Sequence, residues 1–249
     1  MIKIDKFVKQ KDGIYLLKLE NNKELKIHED LILKHELLLK KKLDESLISE
    51  VLEENKIYDA YILALKYIKA KVRSTYEMKF YLEKKNTNSE IVDKVIALLK
   101  KQGYLNNEMF TKAWIHDKVA LSNDGPLKIK EELQKHQIEE RLIDKYLQEF
   151  TEELEKERIK KLIQKQIDRN HSKSEFILKK KMQSHMIKLG YHQSLINELL
   201  NGINIQDDDA AQKEYRKLHR KLSKKYSGKD LEYQLKQKMY QRGFFDWHK

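Results

Sequence analysis

Met186-Ile187-Lys188-Leu189-Gly190-Tyr191 reads as the end of one helix and the approach to the next. The methionine is the last core anchor, and the lysine complements the carbonyl end of the helix dipole. The glycine takes the left-handed position that stops a helix, and the aromatic residue re-enters the core. The same order recurs at Leu82-Glu83-Lys84-Lys85-Asn86-Thr87, Leu133-Gln134-Lys135-His136-Gln137-Ile138 and Met239-Tyr240-Gln241-Arg242-Gly243-Phe244. Successive copies are 51, 53 and 53 residues apart. Behind the first three copies a second segment aligns at the same offsets: Ile91-Val92-Asp93-Lys94, Leu142-Ile143-Asp144-Lys145 and Leu195-Ile196-Asn197-Glu198. A long stretch of helical apolar period precedes each copy, at 58–72, 106–121, 152–169 and 209–226. The repeating element is therefore a triplet of helices in about 50 residues, used in tandem. So small a triplet has a thin core and is stabilised by its neighbours. The expected fold is mainly α: tandem three-helix repeats in an elongated curved array, preceded by a small β unit.

That β unit occupies residues 1–56 together with a linking helix. Ile2, Ile4, Phe7 and Val8 approximate an alternating pattern, and Lys11-Asp12-Gly13 is a turn signal. Ile14–Leu19 and Glu24–His28 complete three expected strands. Repeats are then expected at 57–105, 106–150 and 151–204, with a two-helix partial repeat at 205–249. Ser46 or Ser49 is a candidate cap for the linking helix. Ser74-Thr75-Tyr76-Glu77 and Thr87-Asn88-Ser89-Glu90 have the spacing of capping boxes. Gly125-Pro126 places proline to open a helix.

Charge is distributed unevenly. The chain carries a formal +12, yet residues 1–56 hold 12 basic and 12 acidic side chains. Residues 210–249 hold 12 basic and 4 acidic ones. Such a field attracts nucleic acid or an acidic protein surface; the competing reading is a lysine-rich solvated face. The absence of cysteine excludes disulfides, thiolate metal sites and a cysteine nucleophile. No apolar run reaches the roughly 18 residues of a membrane span, and the charged first residues do not resemble a signal peptide. A cytoplasmic, monomeric protein is expected. The seven glycines are too scattered to cradle a phosphate, and the nine histidines, His185 and His192 among them, lack zinc spacing. Asp207-Asp208-Asp209 suits a helix N-terminus better than a Mg²⁺ nuclease site. No catalytic, cofactor or metal residues are therefore expected, and the chain reads as a non-enzyme. Tyr61, Phe80, Trp114 and Phe244 fall on apolar stripes and are expected in the core.

The candidates for partner contact are basic. Arg73 sits at a helix junction, and Lys79, Lys84, Lys128, Lys135 and Lys188 lie on the middle helices of the triplets. Arg216, Lys217, Arg220, Lys221, Lys224 and Lys225 form one strongly basic helix, with Tyr215 and Tyr226 interleaved. Such a helix is suited to tracking phosphates.

The stretch from Ala64 to Ser74, followed by Glu77, Leu82 and Lys84, resembles the first repeat of RecX proteins. Gly103-Tyr104-Leu105-Asn106 running into Phe110-Thr111-Lys112-Ala113-Trp114 is similar to the junction that follows it. Gly125-Pro126, Ile129, Glu132-Leu133 and Lys135 resemble the second repeat, where a Gly-Pro pair opens the middle helix. Lysine-rich third and fourth repeats ending in Gly-aromatic resemble the longer, Gram-positive members. The likeness covers residues 58–249, and the β unit is similar to the extension of those longer members. Asn86-Thr87 and Lys71 depart from it, standing where the family favours Gly with an apolar residue, and Arg. The resemblance implies a regulator, in most members an inhibitor, of the RecA recombinase. It would bind in the groove of the RecA–single-stranded DNA filament, bridge protomers, and hinder ATP hydrolysis, strand exchange and cleavage of the SOS repressor. The alternative is a basic helical-repeat protein that binds single- or double-stranded DNA independently of RecA.

Overall fold

The computed structural model describes residues 1–40, 42–245 and 247. The last positions of the expected fourth repeat, 246 and 248–249, lie outside the described residues. Two compact units divide the chain, Met1–Phe110 and Thr111–Lys249.

The first unit opens with strands β1 (Ile2–Lys9), β2 (Ile14–Leu19) and β3 (Glu24–His28). Asp12 and Gly13, at φ +59° and +72°, make the tight turn between the first two. A fourth strand, β4 (Lys42–Leu43), was not expected; two residues carry no readable period, yet they pair with β1. The sheet is antiparallel in the order β3-β2-β1-β4. Its inner face, Leu17, Leu19 and Ile27, packs with Leu31 and Ile32 of helix α1 (Glu29–Lys34), with Leu37, Leu43 and with Val51.

Val51 belongs to helix α2, which runs unbroken from Glu45 to Ile68. The expected boundary at residue 56, between a linking helix and a first repeat helix, is therefore absent. No glycine or proline interrupts residues 45–68, and the helix serves two cores in succession. Its first half covers the sheet. Its second half, through Ala60 and Ala64, packs with Met78 and Leu82 of α3 (Thr75–Lys84) and Val92, Val95 and Leu99 of α4 (Ser89–Lys101). Buried Asn55 marks the changeover: its Oδ1 accepts the His28 backbone N–H at 3.1 Å. The α2 cap is Asp44, whose Oδ1 accepts from Leu47 N at 2.7 Å, not Ser46 or Ser49. Ser74 and Glu77 form the expected capping box. The second expected box is instead a single cap, with Asn88 accepting from Glu90 N. Phe80 is 58% exposed rather than in the core.

The second unit contains α6 (Pro126–Lys135) and α7 (Glu140–Leu147), which follow α5 (Asn107–Leu121). Next come α8 (Glu152–Ile167), α9 (Glu175–Lys188) and α10 (Gln193–Asn201), then α11 (Asp208–Leu222) and α12 (Gly228–Gln241). The middle helices α3, α6, α9 and α12 all stop in the same way. Asn86, Gln137, Gly190 and Gly243 lie at φ +59°, +54°, +82° and +76°. Behind them Thr87, Ile138, Tyr191 and Phe244 donate backbone N–H bonds to Leu82, Leu133, Met186 and Met239, at 3.1–3.2 Å. This is the six-to-one closure of a Schellman motif, and its four anchors are at most 1% exposed.

Two of these turns are also docking points. Gly125 N donates to Leu189 O at 2.6 Å and Leu127 N to Gly190 O at 3.0 Å. A Cβ on Gly190 would stand 2.4 Å from Lys128 N, and one on Gly125 would stand 2.5 Å from Gly190 O. The start of α6 thus rests backbone to backbone on the turn after α9. The next pair repeats the arrangement: Ser174, the cap of α9, donates through Oγ to Arg242 O at 2.7 Å, and a Cβ on Gly243 would meet that Oγ at 2.6 Å.

Gly190→Ala is expected to destabilise the protein beyond the roughly 1–2 kcal/mol of a left-handed alanine, because backbone must also move. Asn86→Gly, in an exposed copy of the same turn, is expected to stabilise by about 0.5 kcal/mol. Urea unfolding midpoints of the two variants check both signs.

Candidate partner-binding surface

The candidate cations divide by whether the fold already uses them. Arg73 is taken: its guanidinium carbon lies 3.8 Å from the Tyr67 ring centroid, Nε reaches Tyr67 O at 3.5 Å, and Nη1 is 3.8 Å from Glu77. With its side chain only 12% exposed, it holds the junction between α2 and α3 and offers little to a partner. Lys79 faces Asp93 at 3.7 Å, and Lys84 is exposed.

Lys128, Lys135 and Lys188 come together around one surface cleft between α6 and the turn after α9. Glu131 and Glu132 line the same cleft. Lys135 pairs with Glu131 at 2.7 Å, and Lys128 donates to Asp124 at 2.5 Å. The cleft is therefore largely self-neutralised, and Lys188 is the one of the three with no ion pair among the described residues.

Helix α11 differs. Ala210, Ala211, Leu218 and Leu222 are its buried residues; Arg216, Lys217, Arg220 and Lys221 are exposed on it, and Lys224 and Lys225, expected on the same helix, are exposed in the turn just beyond its end. Lys213, Lys217 and Arg220 recur at intervals of four and three, so they share one exposed stripe of the helix, and Lys224 follows in the turn just beyond it. Arg216 reaches only Gln212, at 3.5 Å. Among the described residues none of this row has a carboxylate within ion-pair distance.

Other charges close helix ends, and sequence reasoning assigned them no role. Arg158 of α8 donates to Val119 O at 2.7 Å and to Ser122 O, where α5 leaves its last carbonyls. Its Nε meets the Tyr191 hydroxyl at 3.3 Å, and that hydroxyl donates to Asn123 O at 3.0 Å. Burial pushes the Tyr191 phenol up. One turn earlier on α8, buried Glu155 accepts the His192 N–H at 2.7 Å, at the start of α10. Asp207 to Asp209 stand at the N-terminus of α11 as expected, and the Asp207 carboxylate also reaches α9, where it accepts Glu175 N at 2.7 Å beside the Ser174 cap. Asn107 makes the same bond to Thr75 N, at 2.9 Å, for α3. In the intervening triplet the corresponding residue is Pro126, which has no N–H to satisfy. Side chains so far apart in sequence left no local signal. Among the described residues one group has the makings of metal ligands, His35, Glu50 and Glu54, but the Lys34 ammonium already sits 2.6 Å from Glu54.

The architecture defines a helical repeat protein: triplets of helices whose middle helix ends in a Schellman turn, with a small sheet in the first unit and a basic α11 in the second. The profile of the RecX second three-helix domain matches residues 106–147. The chain is 29% identical to the regulatory protein RecX of Halalkalibacterium halodurans over 223 residues, 88% of this chain and 84% of that protein. It is 27% identical to RecX of Bacillus cytotoxicus, over 98% of this chain and 92% of the other. A crystal structure of regulatory protein RecX superposes with a TM-score of 0.69 at 24% identity, over 82% of this chain and all of that one. The RecX structure from Lactobacillus salivarius gives 0.55 at 20% identity, over 59% and 96%. Over most of its length the chain is thus similar to regulatory proteins named RecX, and it shares their fold. No described helix is long and apolar enough to cross a membrane.

Asp124 links these elements to pH. Burial raises its carboxyl pKa, but hydrogen bonds from Lys128 and Lys118 outweigh that and hold it below the ordinary value. Its stabilising contribution is therefore complete above the unfolded-state value of about 4 and is lost as pH falls through the lower folded value. Asp124→Asn is expected to remove about 1.5–3 kcal/mol at neutral pH and to flatten the loss of stability below about pH 4. Thermal unfolding across a pH series measures both.

Proposed function

We propose that this chain restrains the RecA recombinase by binding along the RecA–single-stranded DNA filament, bridging protomers and slowing ATP hydrolysis, strand exchange and SOS-repressor cleavage. It acts as a cytoplasmic monomer and a binding regulator, not as an enzyme. Similarity to regulatory proteins named RecX supports the reading. The observation that carries it is the row of unpaired cations on α11. A fold that closes its other helix ends with charge has left these free, and a filament of protein and DNA presents phosphates and carboxylates to meet them. Lys188 and Lys84 would add separate contacts from the middle helices. The alternative, DNA binding without RecA, draws on the same row.

Substoichiometric protein is expected to slow RecA-dependent ATP hydrolysis on single-stranded DNA. A Lys217→Glu, Arg220→Glu, Lys224→Glu variant, altered only at exposed positions, is expected to lose most of that effect while keeping its thermal midpoint. Where the row meets phosphates of the single strand, each cation lost is expected to lower the salt slope of filament binding by about 0.7. Unchanged hydrolysis, strand exchange and repressor cleavage would rule the reading out, and equal affinity for bare DNA and filament would favour the alternative.

A further inference from the structure

We propose that the cleft between α11 and α12 is a base-stacking site for single-stranded nucleic acid, with Tyr233, Tyr215 and Trp247 as the ring surfaces and Lys229 and Lys236 as phosphate contacts. This goes beyond the recombinase reading, because it requires no RecA.

The cleft has a volume of about 530 Å³, and Tyr215, Lys229, Glu232, Tyr233, Lys236 and Trp247 line it. Tyr215 and Trp247 are stacked at its wall, with centroids 5.1 Å apart and planes 27° from parallel. Tyr233 is 64% exposed. Lys229 and Lys236 have no ion pair among the described residues. Leu235 and Met239 are the buried anchors of α12, and Leu235 also lines the cleft, whereas Lys229, Tyr233, Lys236 and Tyr240 are not buried.

Position on the helix orders these groups. Residues 229, 233, 236 and 240 fall within about 60° of one another at 100° per residue, giving the stripe Lys-Tyr-Lys-Tyr. Tyr233 and Tyr240 are about 10 Å apart along the axis. At Tyr240 a second ring platform begins: Phe245 lies 5.4 Å away, and Phe176 lies 5.2 Å beyond it. Tyr240, Phe245 and Phe176 are each 44–50% exposed.

Exposed rings alternating with free cations match a single strand, whose bases offer flat faces and whose phosphates run alongside. Duplex DNA keeps its bases stacked inside and would leave the rings unused. An acidic peptide would engage the lysines but not the stacked pair. Glu232 at the rim has the polarity to accept from a base amino group.

The test is fluorescence anisotropy with a fluorescein-labelled oligothymidylate of about 12 nucleotides, within the range such surfaces cover, against a duplex of equal length. No RecA is present, and two salt concentrations are used. The full chain is expected to prefer the single strand. Tyr233→Ala is expected to weaken it about tenfold, Tyr233→Phe to bind like the parent, and Lys236→Gln to weaken binding with a shallower salt dependence. Circular dichroism of the variants controls for folding. Parent-like binding by Tyr233→Ala, equal affinity for duplex, or no binding without RecA would overturn the proposal. The RecA hydrolysis assay on the α11 variant is scored separately, so either reading can fail while the other stands.

Discussion

The structure depends on how its helix ends are closed. Every helix leaves about four N–H groups and four carbonyls without intrahelical partners, and twelve helices among the described residues, most of them of 16 residues or fewer, multiply the problem. In the second unit these groups are satisfied largely by the neighbouring triplet. Leu189 and Gly190 present carbonyls to the N–H groups of Gly125 and Leu127. Arg158 collects carbonyls from the end of α5, and Glu155 accepts an N–H at the start of α10. Two residues three apart on α8 thus close helix ends of opposite polarity, each with the charge the dipole favours. A triplet that borrows its caps cannot be cut out without exposing them, which is the physical content of calling this a repeat protein.

The same constraint explains where glycine is required. All four turns after the middle helices are left-handed, but only Gly190 and Gly243 would bring a Cβ within about 2.6 Å of another triplet's atoms. Asn86 and Gln137 hold the same backbone conformation with exposed side chains. Left-handed geometry alone tolerates an amide residue at modest cost; close approach of a second backbone does not. The departure from glycine at Asn86 therefore leaves the turn intact.

Much of the fold could be read from the chain because its deciding features are local. An anchor, a basic residue, a left-handed residue and a returning apolar residue lie within six positions, and their period is visible four times. The strands and the Ser74–Glu77 box were local in the same sense. What sequence reasoning missed was non-local. Asp207 stands at the N-cap position of its own helix, but its carboxylate accepts the first N–H of a helix that begins 32 residues earlier. Arg73 looks like a free junction cation until Tyr67 and Glu77 are placed around it. The α2 boundary was misplaced because one helix faces two cores, so a change of buried face resembled a break. Of the candidate surface, the α11 row was legible as a run of charge. The α12 stripe was not, because Tyr233, Lys236 and Tyr240 are separated by other residues and meet Tyr215 and Trp247 only in three dimensions.

The use of charge separates scaffold from contact surface. Lys118, Lys128 and Arg158 are each tied to a specific acceptor, and changing one leaves buried groups unsatisfied. Among the described residues the α11 cations have no carboxylate within ion-pair distance, and like charges three and four residues apart on a helix repel by a few tenths of a kcal/mol per pair. The fold gains nothing in return that its apolar side, Ala211, Leu218 and Leu222, does not already supply. A polyanion laid along the row would relieve that repulsion. By linkage, anything that binds only the folded α11–α12 pair also stabilises it, so association and local order should rise together. The repulsion along α11 is held in place by the core that the pair shares, Ala211, Leu218 and Leu222 against Leu235 and Met239, so a polyanion would add to a packing that already exists.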